Sequence, residues 1–119
     1  MTSIHIYDLN SGAALPELPP LPIGVLVVGT SDLMQQAADL PQPRYIGIHK
    51  TQDISVQFAP EQASLRAVTR WALRFGGVLV SEPAPEEDGT PRTYCHVQFD
   101  YYGIAVTAYA FIPAVPATI

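Results

Sequence analysis

Cysteine is nearly missing from this chain of 119 residues. Cys95 is the only one, which excludes an internal disulfide. Lysine is as scarce: Lys50 stands alone beside Arg44, Arg66, Arg70, Arg74 and Arg92. Charged residues make up only 14% of the chain, and their balance is acidic, −5 at neutral pH. Proteins that hold nucleic acids through their phosphates are usually basic, so this balance weighs against that class. Long apolar runs are missing too. Ile23 to Val28 is among the longest, far short of the ~20 residues a membrane-spanning helix needs. Met1 to Leu9 carry neither a basic segment nor an apolar signal core. The expectation is a soluble, cytoplasmic protein with no membrane contact.

Patterns that bind metals or activate nucleophiles are also lacking. His5, His49 and His96 stand at no His-x-His or His-x-x-x-His spacing. Cys95 and His96 are neighbours in an extended segment, so they point to opposite faces and cannot share an ion. No Gly-x-Ser-x-Gly elbow surrounds Ser31, Ser55 or Ser81. Gly29-Thr30-Ser31 follows an apolar run but lacks the further glycines or the Gly-Lys-Ser of a phosphate loop. His96 and Asp100 share a strand face, yet would stand ~13 Å apart along it, too far for a direct acid–base pair. No cofactor and no metal are expected, and an enzyme is the minority reading.

Apolar residues, by contrast, are plentiful at 48%, enough for one core in a single domain over residues 1–119. Arginine-for-lysine usage with abundant alanine and proline suggests a GC-rich bacterial source. The chain is organised around Pro60 to Phe75, which reads as one long helix. Pro60 suits a first helical position, and Gly76-Gly77 can take the left-handed conformation that ends one. At ~100° per residue, Leu65, Val68, Ala72 and Phe75 share one face, with Trp71 and Leu73 at its margins. Arg66, Arg70 and Arg74 line the opposite face. They form either a solvated helix back, the preferred reading, or a surface for phosphates or an acidic partner.

Before this helix, Ser3 to Leu9 alternates as a strand, and 15–22 is a proline-rich connector of polyproline type. Ile23 to Val28, rich in valine, reads as a buried strand. Leu33, Met34, Ala37 and Ala38 then fit a short helix that Pro41 stops. Arg44 to Lys50 and Ile54 to Phe58 form a hairpin around Thr51-Gln52-Asp53, with Ile46, Ile48, Ile54, Val56 and Phe58 on one face.

After the helix come a short strand, Val78 to Ser81, and an acidic, proline-rich loop over 82–91, expected to be exposed and mobile. Thr93 to Tyr101 and Ile104 to Ile112 form the last hairpin. A two-residue turn at Tyr102-Gly103 pairs Phe99 with Val106, Val97 with Ala108 and Cys95 with Ala110. A slip of one residue would mix the apolar and polar sets. The tail beyond Pro113 is expected to be loose.

The fold class is therefore α+β: an antiparallel-dominated sheet covered on one face by a long helix in the C-terminal half, plus one short helix. The outer face of the last hairpin gathers Tyr94, His96, Gln98, Tyr109 and Phe111. Aromatic rings beside hydrogen-bonding groups are typical of interfaces. The leading expectation is a small non-enzymatic interaction or regulatory protein that self-associates as a homodimer or larger assembly. Two alternatives remain: a nucleic-acid-associated regulator using the arginine row, and a small-ligand or enzymatic site near His49, His96 and Tyr109.

Overall fold

The computed structural model describes residues 21–49 and 53–114. The expected strand at Ser3 to Leu9, most of the proline-rich connector, Lys50 to Gln52 and the tail after Ala114 lie outside the described residues. Within them, helices α1 (Ile23–Gln36) and α2 (Ala63–Phe75) accompany strands β1 (Tyr45–His49), β2 (Asp53–Gln57), β3 (Leu79–Pro83), β4 (Arg92–Tyr101) and β5 (Ile104–Pro113). No helix among the described residues is long and apolar enough to cross a membrane.

The α+β class holds, with a mixed sheet. Strand order is β1-β2-β5-β4-β3. Three neighbouring pairs are antiparallel, but β2 and β5 run parallel, Ile54 beside Val106 and Val56 beside Ala108. A parallel pair needs a crossover. Here α2, β3 and β4 together supply it, so the two strands that meet at the sheet centre are far apart in the chain.

The first correction concerns Ile23 to Val28, which is the opening of α1 and not a strand. Short apolar runs are ambiguous between strand and helix, and the longer period decides. Leu26, Leu33 and Ala37 recur at helical spacing and are fully buried. Pro22, with φ −58° and ψ 141°, leads in with extended geometry. Tertiary burial outweighs the modest helix propensity of the valines. Past the other end Gln42 Nε2 donates to the carbonyls of Ala37 and Leu40, both at 2.9 Å, and so braces the turn that follows the helix.

The second correction concerns α2. It starts at Ala63 rather than Pro60 and has 13 residues, one fewer than α1, so the contrast of one long and one short helix disappears. Its buried face is also turned from the expected one. Ser64, Ala67, Val68 and Trp71 are buried, Ala72 and Phe75 partly so, whereas Leu65 is 44% exposed. Trp71 therefore sits at the centre of the face and not at its margin. Its indole Nε1 donates to Pro41 O at 2.8 Å, and its ring meets Phe58 edge-on at 5.6 Å. The largest side chain with a satisfied polar end sets the rotation of the helix.

Both helices share one core with the inner face of the sheet: Leu26 and Leu33 of α1 join Val68 and Trp71 of α2 over Ile54, Val97, Val106 and Ala108. Phe75 extends this core, stacking on Phe99 at 4.9 Å. The β4–β5 register is the expected one, Phe99↔Val106, Val97↔Ala108 and Cys95↔Ala110. Tyr102 and Gly103 both have positive φ, 51° and 87°, as the tight turn between twisted strands requires. β3 extends to Pro83, two residues beyond the expected strand. The acidic stretch is exposed apart from Ala84, and backbone bonds from Glu86 N to Thr90 O and from Gly89 N to Glu86 O shape it into a hairpin tip.

Candidate functional site

The outer face of the sheet is built by strand alternation, which sends every second side chain away from the helices. Register places these residues in rows across the strands. Glu82, Tyr94 and Phe111 form one row. Val80, His96, Tyr109, Gln57 and Tyr45 form the next. Gln98, Thr107, Ser55 and Gly47 follow, and Asp100, Ala105, Asp53 and His49 complete the face. The rings thus gather toward one end of the face, with Glu82 beside them, and Asp53 and Asp100 lie at the other end.

At the aromatic end Tyr94 is the hub. Its ring lies 5.1 Å from Phe111, 5.8 Å from Tyr109 and 4.4 Å from His96, the last pair stacked. Arg92 caps the cluster, its guanidinium carbon 4.3 Å from the Phe111 ring centre. All four rings are half-buried, although neither α1 nor α2 covers them. Burial raises the Tyr94 hydroxyl above its ordinary range, with Tyr109 and Glu82 adding to the effect. Glu82 Oε1 stands 3.5 Å from His96 Nε2, a contact that becomes an ion pair when the imidazole is protonated. Gln98 is exposed beside Thr107.

The structure brings Tyr94, His96, Tyr109 and Phe111 together, as expected. It does not bring His49 to them. His49 lies four residues along and three strands across from His96, roughly 20 Å by ordinary strand spacings. The site once expected around His49, His96 and Tyr109 is therefore divided between opposite ends of the face. Met34 of α1 packs against the core on the other side of the sheet and does not cover the aromatic face. Cys95 is fully buried, and burial pushes its thiol up, the wrong direction for a nucleophile. Among the described residues, no three His, Cys, Asp or Glu side chains converge on a point that could hold a metal ion.

The arginine row is only partly available. Arg74 donates to both carboxylate oxygens of Asp39, at 3.0 and 2.7 Å, and to Gln36 O at 2.9 Å. Arg66 and Arg70 stay exposed on the solvent side of α2.

Two features escaped sequence reasoning. Glu82 beside His96 follows from β3 reaching Pro83, and the two prolines nearby had suggested an earlier end. The flank of α1 was hidden once its first six residues were read as a strand. In fact Val25 and Val28 are exposed there, Val28 by 70%, next to a Tyr101–Asp32 hydrogen bond of 2.5 Å.

Comparison with protein-family models, with curated proteins and with solved structures finds no match.

Proposed function

We propose that this is a non-enzymatic interaction or regulatory protein that self-associates through the outer face of its sheet. The observation that carries the reading is the cluster of Tyr94, His96, Tyr109 and Phe111 on the central strands β4 and β5, on the side away from both helices. Such a face is broad and, among the described residues, no helix walls it, which suits another protein surface better than a small substrate. Tyrosine and histidine keep polar tips for water or a partner, while their ring faces offer apolar area.

Acidic neighbours support the same reading. Glu82, Asp100 and Asp53 lie on this face, which would repel a phosphate backbone despite the rings available for base stacking. The pairing of Arg74 with Asp39 likewise reduces what the arginine row offers to nucleic acid. Dilution tests the reading. Resonances of Tyr94, His96, Tyr109 and Phe111 should shift as the protein is diluted from high micromolar concentration, while those of the solvent side of α2 stay fixed. Shifts confined to Arg66 and Arg70 on adding DNA, with none on dilution, would transfer the function to the arginine row.

A further inference from the structure

The exposed flank of α1 forms one wall of an apolar groove. Val25, Val28 and Asp32 stand at helical spacing along that wall. The β4–β5 turn supplies the other wall through Tyr101 and Tyr102, Ile104 lies at the base, and Pro22 closes one end. The volume is about 730 Å³, within the ~300–1,000 Å³ of small-molecule sites. A Cβ at Gly29 would run into Ile104 Cδ1, so the glycine leaves the Ile104 side chain room to lie against the helix at the base.

Among the described residues, Asp32 is the one charged residue lining the groove. Its Oδ2 accepts the Tyr101 hydroxyl at 2.5 Å, which fixes the carboxylate against the wall. Its Oδ1 has no hydrogen-bond partner among the described residues. Tyr101 stays a donor because desolvation, then the Asp32 contact, raises its hydroxyl to about 12. An oriented carboxylate at the edge of an apolar trough recognises one kind of molecule: an apolar chain ending in a cationic donor. Ile23 and Val27 lie on the other flank of α1 and take no part.

We propose that this groove binds small amphiphilic cations of the alkylammonium class, with the head on Asp32 and the tail along Val25 and Val28 toward Pro22. The site is separate from the outer sheet face and does not depend on self-association.

The full chain should be titrated with n-octylammonium, octan-1-ol and octanoate at neutral pH, below micelle-forming concentration, following amide shifts of Gly24, Val28 and Tyr102. Octylammonium should bind saturably and roughly tenfold tighter than octanol, the worth of one charge-assisted hydrogen bond, with octanoate weakest. Asp32→Asn keeps an acceptor for Tyr101 and should bring octylammonium down to the level of octanol. Val28→Gln, at an already exposed position, should weaken octylammonium and octanol alike. Absence of saturable binding to the full chain would overturn the proposal, whether another part of the chain or a second copy fills the groove. So would octanoate binding as tightly as octylammonium, or unchanged discrimination in Asp32→Asn. If Asp32→Asn fails to fold, a Val28→Gln protein that binds octylammonium as well as wild type would overturn it equally.

Discussion

Arg74 grips Asp39 with two parallel hydrogen bonds, tying the C-terminal end of α2 to the segment just after α1. Hydrogen bonding from Arg74, then from Asp39's own backbone, holds the carboxyl below its ordinary value of 3.8. A depressed folded value means stability that is fully present above 3.8 and is lost as pH falls through the lower folded value. The pair is exposed, so its contribution is screened. A double-mutant cycle of Asp39→Ala and Arg74→Ala should show a small coupling that shrinks in high salt and vanishes in strong acid. Coupling that is unchanged by salt would contradict this account.

The arginine row should then divide. Replacing Arg66 and Arg70 by Gln should leave the melting temperature within the scatter of ordinary surface changes, about ±0.5 kcal/mol in stability. Adding Arg74→Gln should lower it slightly, by loss of the Asp39 pair and of the bond to Gln36 O. Mobility-shift assays with DNA and RNA should show no difference between wild type and the triple variant. Salt-sensitive binding that the triple variant loses would promote the nucleic-acid reading.

The rotation of α2 separates two substitutions. Val68 is fully buried, so Val68→Asp leaves an unpaired charge in the core and should cost several kcal/mol, on the order of 4 or more. Leu65 is exposed enough that Leu65→Asp should stay near neutral. Trp71→Ala should cost about 3–5 kcal/mol, since it removes the largest core side chain and its bond to Pro41. Equal losses at Leu65 and Val68, read by urea unfolding, would show that Leu65 shares the buried face and contradict this rotation.

What the sequence revealed and concealed follows from how local each signal is. The β4–β5 hairpin was legible because Tyr102-Gly103 fixes the turn and alternation fixes the faces, so the register from Thr93↔Ile112 to Tyr101↔Ile104 follows from neighbours in the chain. The aromatic cluster came with it. The parallel β2–β5 pair was not legible, because nothing near Ile54 points to Val106. α1 was misread because Ile23 to Val28 satisfies both strand composition and a buried helix, and only Leu33 and Ala37 further on settle the period. The α2 rotation was missed because Leu65 and Trp71 compete for one face, and the indole's bond to Pro41 is a tertiary fact.

Tyr101 gives the fold an alkaline limit. Its hydroxyl titrates at about 12 when folded against an ordinary 10.0, so the folded state holds the proton more tightly. The associated stability is fully present below pH 10 and is lost as pH rises toward 12. Chemical unfolding at stepped pH should show wild type losing stability over this window more steeply than Tyr101→Phe. Parallel curves for the two proteins would contradict the assignment.

Self-association through the outer sheet face is tested most directly by sedimentation equilibrium at high micromolar concentration. Wild type should run as a dimer or larger. Tyr109→Ala combined with Phe111→Ala should run as a monomer with its far-ultraviolet circular dichroism largely retained, because both side chains are on the outer face and outside the buried core. A strictly monomeric wild type, or a double variant that assembles as wild type does, would contradict the account.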